Sequence, residues 1–553
     1  MALILLIGAC TSSGSPEEPG RAGVTEPEDE FIPKKAYLKR ACELSAEWVK
    51  LIHRGWDPGK KRDFDLVLVP TPPNYVGTLS NTSHSGPYRF LQEVPLILYG
   101  RGFVEPLGHI ELDREVTLAD VAPTYARLMR FDAWPERIGR PLSEVLKDTS
   151  ETPKLIVTAV IDGGGWNVLQ YWPDSWPNLK RIMDEGATID NATVGSSPSI
   201  TPSVHTTLST ATFPRFHGVT GINVRADDGT LVGAFSKKGR QFGALKAVPD
   251  QVLKMGTIAD EWDKANGNEA KVLTIITGNF PLGMGGVGAA WPGGDHDILA
   301  VAGADEWVTN PTYYSMPDYV NTQVAGPETD IEALDRRDGE ADGQWLGHEI
   351  KPLAGTPAFP PWQTRTLKAL IEREGFGADD LTDLAFINYK SPDHAGHIWN
   401  MIAPEQEEVI RAVDAALADL VSWLDDNVGR DEYVVLVTAD HGQTPLESGG
   451  WPISRAETIK DIQAQFDDID NGRPVIDATS AVSLFLNAKE MKANGVTPEQ
   501  VSSYLSSYTF RDNRETESDI PEEFRDRADE RVFSAVFPGR KLPKVVRCTG
   551  AGD

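Results

Sequence analysis

Four short stretches of this 553-residue chain carry side chains able to hold metal ions or to attack an electrophile. Three are Asp162-Gly163-Gly164-Gly165, Pro392-Asp393-His394-Ala395-Gly396-His397 and Asp440-His441-Gly442. Each follows an apolar run (155–161, 384–387 and 433–437) of the length and composition of a buried strand. Ligands of open α/β sheets gather beyond the carboxyl ends of the strands, so the three groups are expected to converge on one crevice. Carboxylate and imidazole together suit zinc. Any one of these dipeptides alone would be a weak sign; three at strand ends form a pattern. The fourth stretch runs from Ser199 through Thr201-Pro202 to His205. Proline is favoured at the first helical position, which sets the Thr201 hydroxyl at a helix N-terminus. Free N–H groups and the helix dipole there would stabilise an alkoxide and an incoming anion. On local sequence alone, a simple N-cap role for Thr201 is the plainer reading.

The elements needed to position these groups are legible as an alternation of apolar runs and helical patterns, the sign of an α/β sheet. Further strands are expected at 64–69, 94–99 and 272–276, and helices at 36–53, 119–129, 177–185, 204–210 and 405–427. The last of these places Val409, Ile410, Val413, Ala416, Leu417, Leu420 and Leu424 on one face. Residues 327–361 are polar and rich in Gly and Pro, and read as an insertion or surface loop. With 221–300 they are candidates for a cap over the site. The acidic stretch 512–530 reads as a solvated face.

Lys and Arg number 53 against 82 Asp and Glu, a formal charge of −29. That balance disfavours nucleic-acid polymers and anionic membranes as partners. Only Cys10, Cys42 and Cys548 are present, which excludes a disulfide framework and a Cys-rich zinc domain. The absence of long apolar runs excludes a polytopic membrane protein. Residues 1–10, ending Ile7-Gly8-Ala9-Cys10, resemble the lipobox of bacterial lipoproteins. That resemblance implies lipidation of Cys10, a folded part outside the cytoplasm in the cell envelope, and membrane contact only through the anchor; a secreted protein is the alternative. Residues 11–32 are Ser-, Gly-, Pro- and Glu-rich and read as a flexible tether.

Taken together, the site motifs resemble the alkaline phosphatase superfamily, and within it the type I phosphodiesterase/nucleotide pyrophosphatase branch. The family pattern is a strand-end Asp, Thr-x-Pro-x-His, Pro-x-x-His-Gly, Pro-Asp-x-x-Gly-His, Asp-His-Gly and a final His-Gly. Here Pro202 stands one place early and Ala211 replaces a usual Gly, while Pro214 and His217-Gly218 keep register. The resemblance implies an α/β fold with an alkaline-phosphatase-like, mostly parallel central sheet, flanking helices and cap-like insertions. It implies two zinc ions: one on Asp162, Thr201, Asp440 and His441, the other on Asp393, His397 and one further histidine. Thr201 would be the nucleophile and would form a phosphothreonine. Asn223 resembles the family's phosphoryl-binding Asn, one residue further along. Lys390 is a candidate for phosphate binding, with a plain surface lysine the equal alternative.

No histidine follows His441. Residues 64–142, however, look like the C-terminal end of the same family. They contain Ser83-His84-Ser85-Gly86-Pro87, a Val94-Pro95-Leu96 strand, Leu118-Ala119-Asp120-Val121-Ala122-Pro123-Thr124 and Gly139-Arg140-Pro141-Leu142. That order implies a circular permutation in which His84 is the missing zinc ligand and 148–153 bridge the usual termini. The new ends would then be neighbours, which implies a Cys42–Cys548 disulfide in an oxidising compartment. Residues 33–548 would form a single catalytic domain, with 63–147 supplying the usually C-terminal part, 155–442 the main motifs and about 300–365 an insertion. The activity implied is hydrolysis of small phosphodiesters or nucleotide pyrophosphates, with phosphomonoester hydrolysis as the alternative. The lack of Cys/Ser-x-Pro-x-Arg around Thr201 argues against a sulfatase, and a metal-binding lipoprotein without turnover is the reading from a different class.

Overall fold

A nine-stranded sheet forms the centre of the computed structural model, in the order Trp307–Val308, Ile298–Ala302, Val272–Thr277, Asp383–Tyr389, Leu155–Ile161, Tyr433–Thr438, Leu96–Tyr99, Ala187–Ile189, Gly108–Ile110. The structure describes residues 36–552 apart from 58–63, 79–81, 85, 226–228, 236–251, 447–448, 470, 481 and 515–519. Cys10 and the expected tether at 11–32 therefore lie outside the described residues. The sheet is mostly parallel: only Trp307–Val308 and Leu96–Tyr99 run against the rest.

The three central strands are buried along their whole length, as their continuous apolar runs require when both faces are covered. Alternate residues feed two cores. Ile156, Val160, Leu384, Phe386, Val434 and Leu436 face the helices Val121–Leu128 and Thr201–Thr210. Val157, Ala159, Ile161, Ala385, Ile387, Val435 and Val437 face Pro177–Glu185, Phe359–Arg373 and Pro404–Leu424. Register brings the carboxyl ends level: Ile161 pairs with Tyr389 and Val160 with Thr438. The residues that follow these three strands therefore emerge on one rim.

A second, antiparallel sheet joins the two ends of the chain, in the order Ile476–Ser480, Ser483–Leu486, Leu66–Pro70, Phe533–Pro538. Its middle strand alternates in the same way: Leu66 and Leu68 enter one core, Val67 and Val69 another that includes Tyr37, Ile52 and Val545. Cys42 and Cys548 form the disulfide, across 506 residues of sequence, with their Cα atoms 5.4 Å apart. The stretch predicted as one helix over 36–53 is two, Ala36–Ala41 and Ala46–Gly55, because Ser45 caps the second by accepting from Trp48 N at 3.2 Å. Cys42 sits at that break.

Two expectations are corrected. Residues 327–361 are not a bare loop: they hold the helix Glu328–Asp335 and the hairpin Gln344–Trp345/His348–Glu349. Leu334, Trp345 and Ile350, spaced through the polar segment, pack on Ala395 and Val409, and so brace the helix Ser391–Trp399. Nor is the whole of 221–300 a cap, since within it Val272–Thr277 and the start of Ile298–Ala302 are strands of the central sheet. No helix among the described residues is long and apolar enough to cross a membrane.

Candidate active site

The level strand ends deliver Asp162, the Lys390–His397 segment and Asp440-His441 to one place, with Asp162, Lys390, Asp393, Asp440 and His441 buried and His397 partly exposed. Gly163 makes the first turn possible: its φ is 69°, and a Cβ there would stand 3.1 Å from Asp393 Cα. Its N–H donates to Asp440 Oδ1 at 3.0 Å, tying the first strand end to the third. At Gly396 a Cβ would overlap the Gln443 side chain, whose Nε2 donates to the carbonyls of Gly163 (2.9 Å) and Pro392 (3.0 Å). Small residues and one amide thus hold the three loops in close contact.

Thr201 is the first residue of the helix Thr201–Thr210, and Ile200, not Thr201, occupies the N-cap. The N-cap reading of Thr201 is therefore replaced. Ile200 provides no capping side chain. Pro202 carries no N–H and Ser203 N donates to Ile200 O at 3.1 Å, so of the first-turn amides only that of Thr201 is left without a hydrogen bond among the described residues. The Thr201 hydroxyl accepts a hydrogen bond from Lys390 Nζ at 3.1 Å.

Three histidines share one geometry. His84 Nδ1 donates to Ser199 O (3.0 Å), His397 Nδ1 to Thr82 O (3.0 Å) and His441 Nδ1 to Gly442 O (3.0 Å). A carbonyl only accepts, so each Nδ1 carries the proton and each Nε2 lone pair is left for the site. His84 Nε2 lies 3.4 Å and His397 Nε2 3.3 Å from Asp393 Oδ1. His441 Nε2 lies 3.3 Å from Asp440 Oδ2 and 3.6 Å from Asp162 Oδ1. The His84 and His441 rings stack with centroids 3.5 Å apart and 6° between planes. Asp393 Oδ1, Asp440 Oδ2 and His441 Nε2 are buried with no hydrogen-bond partner. Orphaned acceptors facing unprotonated nitrogens, each fixed from behind, are what a cation site offers.

The charges agree. Burial would pull Lys390 down, but Asp162, Asp393 and Asp440 outweigh it and hold the ammonium above the usual lysine range. Burial would raise Asp393, yet Lys390 and His397 keep it well below the usual carboxylate range. Asp440 is pushed up, by burial first and Asp162 second. Burial lowers His84 and His441, keeping both imidazoles neutral, while His397 is lifted by Asp393 against its burial. Lys390 Nζ reaches Asp393 Oδ2 at 2.7 Å and Asp162 Oδ1 at 2.9 Å. It is a buried residue of the site and not a surface lysine.

The sequence pattern that defines the type I phosphodiesterase/nucleotide pyrophosphatase family matches residues 156–537. The chain belongs to that family. It is 26% identical over 345 residues to a Myroides odoratus protein named calcium-transporting ATPase, covering 53% of this chain and 60% of the relative. It is 25% identical over 337 residues to the alkaline phosphatase PafA of Elizabethkingia meningoseptica (52% and 60%). To the alkaline phosphatase PhoV of Synechococcus elongatus it is 23% identical over 345 residues (54% and 61%). The aligned part thus spans about 60% of the length of these curated relatives. A solved structure of alkaline phosphatase PafA superposes with a TM-score of 0.52 at 18% identity, covering 71% of this chain and 85% of that one, which shows a shared fold.

Within this family member the candidate ligands fall into groups whose ligand atoms lie within 4.8 Å of one another: His84, Asp393 and His397; Asp162, Asp393 and His441; Asp162, His205 and Asp440. His205 is the exception in kind. Its Nδ1 donates to Thr201 O (2.9 Å) and its Nε2 accepts from Asn388 (3.1 Å), so both nitrogens are spent. His84 arrives on a loop stitched to the rest of the site. Thr82 Oγ1 donates to Thr444 O, Thr444 Oγ1 to Ser83 O, and Asn400 Nδ2 to both Thr82 Oγ1 and Thr444 O.

Asn388 is a site residue that motif reading missed. Its amide donates to Asp162 Oδ2 at 2.8 Å as well as to His205. The available signal was a polar residue inside an otherwise apolar buried strand. Asn223 opens the strand Asn223–Arg225 of a small hairpin. Among the described residues no hydrogen bond joins it to the carboxylate–histidine cluster. The hairpin is instead anchored to the second sheet through Arg225, whose Nη2 reaches Asp65 Oδ2 at 3.1 Å.

Proposed function

We propose that this chain hydrolyses small phosphate esters, phosphodiesters or nucleotide pyrophosphates foremost, through a phosphothreonine on Thr201. One observation carries the reading. Three histidine Nε2 atoms and three aspartates converge beside a buried threonine hydroxyl, with every histidine fixed through Nδ1. Mixed carboxylate and imidazole donors fit zinc, in the two sets Asp162, Thr201, Asp440, His441 and Asp393, His397, His84. When bound, a zinc pair supplies Lewis acidity, favouring the Thr201 alkoxide and the departing oxygen.

The chain's own groups do the rest. Thr201 Oγ forms the bond to phosphorus as the bond to the leaving oxygen breaks, and water later cleaves the phosphothreonine. Lys390, held cationic by its carboxylates, donates to Thr201 Oγ1 and suits the same role toward a phosphoryl oxygen. The Thr201 N–H, unspent at the start of the Thr201–Thr210 helix, suits the same anion. Asn223 is kept as a phosphoryl contact that forms on substrate binding.

The order of parts fits a circular permutation. The family pattern is matched in one run from 156 to 537, while His84 lies outside it. The strand Leu66–Pro70 sits between two strands from the C-terminal part, and the disulfide joins the two ends. That disulfide also fits a location outside the cytoplasm, with Cys10 as lipid attachment. Phosphomonoester hydrolysis is the second reading, favoured by two relatives named alkaline phosphatase.

A substrate panel separates these. Bis-p-nitrophenyl phosphate should turn over faster than p-nitrophenyl phosphate, and nitrophenyl sulfate hardly at all. Chelation should abolish turnover and zinc restore it, and Thr201→Ala should cost at least about 10³-fold. A faster monoester moves the assignment to the second reading, whereas turnover that survives chelation or Thr201→Ala refutes the mechanism.

A further inference from the structure

A second group of acids lies at the opposite rim of the central sheet. Asp263 lies in the last turn of the helix Ile258–Ala265, and Asp295 and Asp297 belong to the loop that enters the strand Ile298–Ala302. That strand runs parallel to its neighbour Val272–Thr277, and so with the strands whose carboxyl ends carry Asp162, Asp393 and Asp440. Asp297 precedes its strand, whereas the active-site groups follow theirs. The two clusters are therefore separate.

One carboxylate oxygen each from Asp263, Asp295 and Asp297 lies within 4.8 Å of the others. Asp263 is 3% exposed, and its Oδ1 is buried without a hydrogen-bond partner. Asp260, one turn earlier on the same helix, shows what a satisfied buried aspartate looks like here. It accepts from Val287 N (2.7 Å), Thr257 N (2.8 Å) and Thr257 Oγ1 (2.9 Å). Among the described residues no Lys, Arg or His forms an ion pair with Asp263, Asp295 or Asp297. Lys264, next to Asp263 in sequence, gives its ammonium to the Pro292 carbonyl at 2.7 Å. Burial, then Asp295 and Asp260, push Asp263 up to about 7, and burial, then Asp263, raises Asp297 well above the usual range. Among the described residues the three converging acids thus have no ion-pair partner, and one of them keeps a buried oxygen without a hydrogen bond.

We propose that Asp263, Asp295 and Asp297 form a second metal site that takes a hard divalent cation, Ca²⁺, and ties the 291–297 loop to the helix Ile258–Ala265. The donor set is oxygen only, without imidazole or thiolate, which selects hard cations over zinc. Asp295 is exposed, so water can complete the six to eight ligands that Ca²⁺ accepts in irregular geometry. The loop is otherwise ready: Ser315 N donates to Asp297 O at 2.9 Å and fixes the entry to the strand.

The test is equilibrium dialysis of the zinc-loaded protein against Ca²⁺, with metal counted per chain and the melting temperature followed in parallel. The wild type should hold one Ca²⁺ more than Asp297→Asn or Asp295→Asn, and only the wild type should gain a saturable rise in melting temperature. Both variants should keep the wild-type zinc content and ester hydrolysis, and without Ca²⁺ should melt no lower than the wild type, because each removes a repelling charge. Asp295 is exposed, so its replacement does not threaten folding. Equal Ca²⁺ content and equal thermal response in all three proteins would overturn the site, as would no Ca²⁺ on the wild type; the charge is then balanced by a proton shared between Asp263 and Asp295.

Discussion

Two acidic clusters sit on opposite rims of the same sheet and solve the cost of buried charge differently. At the carboxyl rim, Asp162, Asp393 and Asp440 are interleaved with three histidines and with Lys390, whose ammonium contacts Asp162 and Asp393 directly. At the other rim, Asp263, Asp295 and Asp297 face one another with no ion-pair partner among the described residues. Buried carboxylates need a partner, since an uncompensated one costs several kcal/mol. The first cluster carries part of its counter-charge in its own side chains, whereas the second has none among the described residues and is proposed to take a cation. The donor types divide accordingly: imidazole with carboxylate for a borderline metal, and carboxylate alone for a hard one.

That contrast can be broken at its strongest point. The carboxyl-rim ligands are held from behind by neutral donors, Asn388 chief among them. Asn388→Ala should lower zinc affinity and turnover by roughly 10–100-fold, the usual cost of losing a group that orients a ligand. The variant should leave the Ca²⁺ response intact. Unchanged zinc affinity and rate would mean that Asp162 needs no such support.

A smaller effect sharpens the other side. Asp263 has a folded pKa raised to about 7 against about 3.9 in an unfolded chain. Between those values the folded protein binds more protons than the unfolded one, so its stability falls as pH rises from about 4 to 7. Asp297 adds in the same direction, as does Asp260, raised to about 6. Urea unfolding in chelator at pH 5 and 7 should show this loss, and Asp263→Asn should reduce it without removing the Asp260 part. An equal slope in wild type and variant would show that Asp263 is ionised in both states.

The carboxyl-rim site was legible in the sequence because buried parallel strands are uninterrupted apolar runs, and an acid at the end of each is conspicuous. Asp162, Asp393, His397, Asp440 and His441 all come together, and level register is the reason. His84 could be located only through the family resemblance, since nothing local marks a loop histidine. Asn388 was missed because it sits inside a strand, where attention falls on the apolar majority. The helix at Thr201 begins one residue before Pro202, the first helical position that the Thr-Pro pair implied. Residues 327–361 looked like loop because three apolar anchors are diluted among polar neighbours. The second acidic cluster left almost no trace, since Asp263 meets Asp295 and Asp297 only through the packing of a helix against a strand entry.

His84, from the N-terminal side of the chain, is proposed to complete a two-metal site otherwise drawn from 162–441. The decisive measurement is zinc counted per chain in the wild type and in His84→Ala, with phosphodiester turnover followed on the same samples. Two zinc ions are expected in the wild type and about one in the variant, with a matching loss of turnover; full zinc loading with full activity in His84→Ala would remove His84 from the site.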